Sequence, residues 1–521
     1  MVKFLLGILF LFSSYFIQAQ NRSLPLHEYY KKETLKHSRP QLHPTFFPLN
    51  ESQVALYDSI RDTAKIYVDF HQWLFKQDWI EVKRPDYNLY ISPLVHGSYG
   101  NSFSGQDSLF LFENTRGIIA SGNLGKEISF QFLFAENQSR YNTFLSTHFR
   151  SQGELYDFGN SYHRTNAVIP GAGRTKIFKG SAFDYAYSMG HISFQVNPSL
   201  RIEGGNGQHF IGAGYRSLLL SDYSVAAPYI RILKNMGQKW SYQLLFRRQK
   251  NLIRKIATKA IEPSYEHKAF SAFFLNYQAR PNLNLALFSG GNFLRADSTV
   301  KHALPWNYFV PVPGMNTDLF LKGDLFHGIM GLQGEWRGRS ALFYGQLAME
   351  QESNFRLAAQ GGFHIFDLLK VPNLHFQLEY NYVPQDMYAH QNFKLAYGHY
   401  NASSSHPKGN DFQEFILAAD YQYKRFYGQL RNILYFGKSG NLNEQISQHS
   451  IFIHSDQKPD NPSNGSAWLV DTELGYRINR NYNPNIYLRL RSRLDSHSSD
   501  QSYFLFQFGV KVSVLNHYSD F

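Results

Sequence analysis

Near the carboxyl terminus, Phe504, Phe506, Phe508, Val510, Val512 and Val514 stand at every second position, with Leu505, Gln507, Gly509, Lys511 and Ser513 between them. A strand repeats its facing every second residue, so this stretch shows one apolar side and one largely polar, glycine-containing side. The same alternation recurs. Ile128, Phe130, Phe132 and Phe134 form such a stripe, as do Phe273, Leu275 and Tyr277. So do Leu374, Phe376, Leu378 and Tyr380, then Phe415, Leu417, Ala419, Tyr421 and Tyr423. Trp468, Val470, Thr472, Leu474 and Tyr476 make another, and Ile486, Leu488 and Leu490 a further one. Few helical patterns are present to cover so many apolar stripes, so their expected cover is lipid, and a strand protein enters lipid only as a closed barrel.

The amino terminus points to export. Lys3 precedes an apolar run from Phe4 to Phe16, and Ile17-Gln18-Ala19 offers a cleavage site before Gln20. This reads as a signal peptide over 1–19 rather than a spanning helix. After it, no apolar stretch reaches the roughly 18 to 20 residues that a membrane helix needs. The 521 residues contain no cysteine, which excludes a disulfide-stapled scaffold and a lipoprotein anchor.

Aromatic residues make up 17% of the chain, with 45 Phe and 35 Tyr, yet mean hydropathy is −0.39. That combination suits alternating strands with aromatic girdles better than a compact soluble core. The formal charge of +12, from 52 basic against 40 acidic residues, invites an anionic partner. Export argues against nucleic acid.

The sequence therefore predicts an all-β, antiparallel transmembrane barrel of roughly 16–18 strands over 87–521, in the even-numbered range of bacterial outer-membrane barrels. Residues 20–86 read as a small, partly helical periplasmic or plugging region. Asn50 caps a helix predicted from Ser52 to Asp62, and Ile66 to Phe75 forms a second helical segment. Arg337-Gly338-Arg339 and Arg480 to Pro484 suit one rim with short turns. Gly437 to Ser466 and Ser298 to Lys322 suit extended polar loops on the other.

The most distinctive stretch is Gly205-Asn206-Gly207-Gln208-His209-Phe210-Ile211-Gly212-Ala213-Gly214-Tyr215-Arg216-Ser217-Leu218-Leu219-Leu220-Ser221-Asp222. Other blocks follow in order: Arg116-Gly117-Ile118, Phe134 to Gln138, Val168 to Gly171, Asp184-Tyr185-Ala186, Trp306-Asn307-Tyr308, His406 to Glu414, and Tyr518 to Phe521. Together they resemble outer-membrane proteins of Bacteroidota related to the gliding motility protein RemB and to Wzi-type capsule assembly proteins. Gln208 and Asp411 stand where that family usually has a basic residue and an Asn. The resemblance implies an 18-stranded barrel with helices at the periplasmic end. It further implies a part in assembling or attaching surface polysaccharide, or in a gliding apparatus with other envelope proteins.

Several residues are candidates for that chemistry. Arg477, Arg489, Arg491 and Arg493 face inward and form a basic track for an acidic polysaccharide, or else a ladder neutralised by Asp471 and Glu473. Arg216 sits in the glycine-rich stretch. That stretch lacks the Lys-Ser/Thr ending of a phosphate loop, so a bulge or tight rim turn is the expected account of its glycines. Trp306, Tyr308 and His406 are loop residues suited to stacking on or bonding sugars. The 21 His show no metal-ligand spacing, so neither metal nor cofactor is expected. Ser217 or Ser221 with His209 are the nearest candidates for a hydrolase, but no nucleophile elbow surrounds them. The main alternative to a polysaccharide role is a porin-like or substrate-specific channel, with the arginines setting anion preference.

Overall fold

The computed structural model describes residues 24–37, 45–49, 78–157, 162–254, 265–296, 300–321, 323–352, 354–439, 451–452, 463–479, 482–496 and 501–521. The helices expected at 52–62 and 66–75 and the signal peptide lie outside the described residues.

Eighteen antiparallel strands close into a barrel. The first six are β1 (Tyr87–Ser104), β2 (Asp107–Leu124), β3 (Ile128–Arg140), β4 (Ala182–Asn197), β5 (Leu200–Gly207) and β6 (Ala227–Met236). The next six are β7 (Trp240–Arg254), β8 (Tyr265–Arg280), β9 (Leu283–Ala296), β10 (Phe326–Arg337), β11 (Ala341–Gln351) and β12 (Phe355–Ile365). The wall is completed by β13 (Leu374–Val383), β14 (Phe412–Tyr423), β15 (Phe426–Ser439), β16 (Ser463–Arg477), β17 (Pro484–Asp495) and β18 (Tyr503–Val512). Each strand pairs with its successor, and β18 pairs with β1 in a register that sets Phe504 against Phe103 and Gly509 against Ser98. Closure leaves no unpaired edge, as lipid requires.

Short turns gather on one rim, at 198–199, 281–282, 338–340 and 424–425. Long connections gather on the other, at 141–181, 208–226, 297–325 and 384–411. The short turn at 338–340 lies where the sequence placed it. Most of the loop expected at 437–466 lies outside the described residues, with its ends in β15 and β16. The loop expected to extend at 298–322 lies against the outer wall instead.

The outer wall carries the predicted stripes. Phe132, Phe134, Leu378, Phe415, Trp468, Leu474, Ile486 and Phe504 to Val510 are exposed at alternate positions. Trp240 stacks on Tyr277 at 4.3 Å close above the short-turn rim, an arrangement that suits an interfacial girdle. Among the described residues no helix is long and apolar enough to cross a membrane; the strands cross. The protein is an outer-membrane barrel with multiple passes. One stripe ends earlier than expected. Val512 and Val514 are buried with the apolar groups inside the barrel, because β18 stops at Val512 and the chain turns into the lumen.

Inside, the barrel is filled. Helix α1 (Glu28–His37), residues 45–49, the inward loop 208–226, the loop 384–411 and the segment 513–521 all bury side chains there. Helix α2 (Thr143–Ser151), capped by the Asn142 side chain on the Leu145 N–H at 2.9 Å, packs with them. Phe46, Ile211, Leu218, Leu219, Phe270, Phe274, Phe288, Tyr388 and Tyr397 form one apolar cluster that joins these segments to inward faces of the wall. The interior therefore resembles a globular core enclosed by a membrane wall.

Candidate functional site in the barrel lumen

The glycine-rich stretch leaves β5 and descends into the lumen; it is not the tight rim turn that its glycines suggested. Phe46 and Phe47 pair as a short strand with Ile211 and Phe210. Gly212 lies at φ +117°, a conformation that favours glycine, and a Cβ there would strike Gln346. Downstream, the carboxylate of Glu379 accepts the backbone N–H groups of Tyr215 at 2.7 Å and Arg216 at 3.1 Å. It also accepts the Tyr344 hydroxyl at 2.7 Å and the Asn381 side chain at 2.9 Å.

Arg216 is fully buried and its fork is used up. Nε faces Glu414 Oε1 at 3.3 Å, and the terminal nitrogens reach Asp520 Oδ1 at 3.4 Å, the Asp520 carbonyl at 2.8 Å and the Tyr435 hydroxyl at 3.3 Å. His406, also buried, sits against Glu414 Oε2 at 2.7 Å and over the Phe412 ring at 4.3 Å. Burial draws the His406 imidazole below its usual range, against the opposing pull of Glu414. This cluster is a geometric latch: one guanidinium ties the inward loop, the wall strand β14 and the segment 513–521 together.

Asp222 closes the same loop. It accepts the Asn516 side chain at 2.9 Å and the Tyr518 hydroxyl. Burial raises its carboxyl above the usual range, partly offset by those two bonds.

The inward arginines of β16 and β17 form a paired ladder. Arg489 meets Glu473 at 2.7 Å and Asp471 at 3.5 Å, and Arg491 meets Asp471 at 2.6 Å and the Ser519 carbonyl at 2.6 Å. Arg493 meets Asp495 at 2.7 Å and lies over the Phe144 ring at 4.1 Å. Arg477 bonds Gln422 at 3.0 Å and covers the Tyr29 ring of α1 at 3.9 Å. Lys511 adds a second cation to Glu473 at 2.8 Å. Arg489, Arg491, Arg493 and Lys511 thus each face a carboxylate, as desolvation demands.

Helix α1 docks onto the same wall through ions. Glu28 meets Arg431 at 2.8 Å, Lys32 meets Asp420 at 2.6 Å, and Lys36 meets Asp367 at 3.0 Å. Burial opposes ionisation of Glu28, but Arg431 and Lys32 outweigh it and bring the carboxyl down to about 2. Between α1, the ladder and the segment 513–521 remains a polar cavity of about 130 Å³, bordered by His27, Lys31, His96, Glu473, Arg489 and Lys511 among others.

The structure thus brings Arg216, His406 and the four ladder arginines into one lumen but separates Trp306 and Tyr308 from them. Those two lie on the outer wall, with Tyr308 buried against Phe246 and Phe293 at 5.4 and 5.3 Å. Glu379, Glu414 and Asp520 organise the lumen, although sequence reading did not single them out. The available signal was an inward carboxylate beside an inward amide, Glu379 with Asn381, on β13.

Ser217 donates to the Ile211 carbonyl at 2.6 Å, and among the described residues no hydrogen bond joins His209 to Ser217 or Ser221. Nor is any group of three or more His, Cys, Asp or Glu among the described residues arranged to hold a metal ion.

Neither a protein-family model nor a curated relative matches the chain. Among solved structures it is similar to OccK2 (OpdF) of Pseudomonas aeruginosa, at 11% identity and TM-score 0.44 over 81% of this chain and 96% of that one. It is also similar to OpdK of Pseudomonas aeruginosa, at 11% identity and TM-score 0.42 over 82% and 98% of the two chains. A BenF-like porin from Pseudomonas fluorescens Pf-5 is similar at 10% identity and TM-score 0.43, over 82% and 97%.

Proposed function

We propose that this chain is a closed, non-enzymatic outer-membrane barrel that helps assemble or attach acidic surface polysaccharide, in the manner of the RemB-like and Wzi-type proteins its motifs resemble. The observation that supports this reading is the filled lumen. Loop 208–226, α1 and the segment 513–521 occupy the interior and are locked by buried ion pairs centred on Arg216 and Arg491. Displacing them means separating charges in a low-dielectric space, at a cost of several kcal/mol per uncompensated group. A general diffusion pore has no use for such a filling, whereas a surface scaffold needs the rigidity it gives.

A second reading, a substrate-specific channel, draws on the polar cavity beside Arg489 and Lys511. Planar-bilayer recordings separate the two. A scaffold gives almost no ion current, and its deletion strain loses surface polysaccharide or colony spreading. Steady single-channel conductance from the parent protein, together with unchanged polysaccharide and spreading in the deletion strain, overturns the scaffold and favours transport.

A further inference from the structure

Loop 300–321 does not extend into the medium. It folds back over the outside of the wall, across β7 to β10. Asn316 donates to the Ser271 carbonyl at 2.8 Å and to its hydroxyl at 3.1 Å, and Ser271 lies on the outward face of β8, opposite in parity to the lumenal Lys268 and Phe270. Gly291 is the registered outward neighbour of Ser271 and Gly328 that of Gly291, and the Asn316 carbonyl occupies the space in which the side chains of both would stand. Only glycine permits this approach. Lower down, the Tyr242 hydroxyl donates to the Pro311 carbonyl at 2.5 Å. Tyr242 is the next outward residue above Trp240, which adjoins the short-turn rim. The loop therefore descends along the wall into the height of the apolar belt.

Its own polarity is sorted accordingly. Asn307, Asn316 and Thr317 are buried toward the wall, together with the Tyr308 ring. Outward it presents Trp306, Phe309, Val312 and Phe320, which are 59%, 59%, 52% and 60% exposed. The backbone N–H groups of Tyr308, Phe309, Val312, Met315 and Thr317 bond within the loop, and Pro305, Pro311 and Pro313 have none to satisfy. These internal bonds leave fewer backbone groups to be satisfied where the loop faces hydrocarbon. Leu332 and Trp336, on the outward face of β10, are exposed as well.

We infer that loop 300–321 is a membrane strap whose outer face, Trp306, Phe309, Val312 and Phe320, contacts the acyl chains of the bilayer. The strap serves two ends at once. It shields the serine hydroxyl and the bare backbone of Gly291 and Gly328 from lipid, and it anchors the connection between β9 and β10 in the bilayer.

The chain has no native cysteine, so a single nitroxide reports cleanly. Phe309→Cys is spin-labelled in the full barrel reconstituted in phosphatidylcholine vesicles, with Leu332→Cys as the lipid reference and Asp107→Cys, on the long-loop rim, as the water reference. Collision with oxygen is compared with collision with a water-soluble nickel chelate. The strap predicts an oxygen-to-nickel ratio at 309 within about twofold of that at 332. A ratio like that at 107 places the loop in water and overturns the inference. Low collision with both reagents means that protein covers the face, and overturns it equally. Should labelling at 309 disturb folding, loss of Trp306 emission on acyl-chain bromination, taken as the difference between the parent and Trp306→Phe, answers the same question. Quenching by iodide instead refutes it.

Discussion

The guanidinium of Arg216 donates to the backbone carbonyl of Asp520 across 2.8 Å, joining two segments separated by most of the barrel wall. The same side chain faces Glu414, so its removal leaves a buried carboxylate beside His406 without its guanidinium partner. Arg216→Met should cost about 3–5 kcal/mol, and Arg216→Met with Glu414→Gln should recover part of that loss. Thermal unfolding in detergent, followed by the shift between folded and heat-denatured mobility, checks both. Equal stability of the single variant and the parent refutes the latch.

The ladder makes a separate prediction. Asp471→Leu leaves Arg491 and Arg489 facing one carboxylate fewer and should destabilise by about 3–5 kcal/mol. The exchange Asp471→Arg with Arg491→Asp keeps the charges paired and should restore at least half of the loss. An unchanged unfolding midpoint in Asp471→Leu means that the ladder carries no structural charge pairing and returns the arginines to a ligand role.

Acid should loosen α1. Burial, with Lys511 close by, pulls His27 from 6.5 down to about 3. The undocked imidazole takes up a proton below about pH 6.5, while the docked one resists until about pH 3, so acidification through that window favours undocking. Glu28, depressed from 4.5 to about 2, adds stability that is complete above 4.5 and fades as pH falls toward 2. A spin label at His37→Cys should gain mobility between about pH 7 and about pH 5, and His27→Gln should flatten that part of the curve. The reverse trend contradicts the docking account.

Phe46 is wholly buried, edge-on to Phe274 at 5.7 Å and to His209 at 5.9 Å. Phe46→Ala should cost about 3–5 kcal/mol and open loop 208–226 to limited proteolysis. Resistance equal to that of the parent shows that the plug holds without this anchor.

The wall was legible from sequence because facing repeats every second residue, and each stripe from Ile128 to Val510 needed only its own neighbours to be read. The filling was not. Loop 208–226 has no period, and its destination is set by Glu379, Gln346 and Glu414, which lie more than a hundred residues away in the chain. The arginines of β17 were assigned inward by parity, yet their use depended on which acids stand across in β16, information held in register rather than in spacing. Trp306 and Tyr308 went to a rim loop because prolines and glycines mark a turn without saying on which side of the wall it will lie. The outward Ser271, Gly291 and Gly328 were the physical hint that something covers that surface.

The meeting of Glu28 with Asn516, where the amide oxygen accepts the helix N–H at 2.9 Å, has a consequence for assembly. Material laid down before the first wall strand and after the last is stapled together inside the finished cylinder, next to the seam that β18 closes on β1. Biogenesis must therefore coordinate stuffing with sealing. A polypeptide shortened just past Val512 could still lace its hoop, but the hoop would surround a core lacking its final wedge.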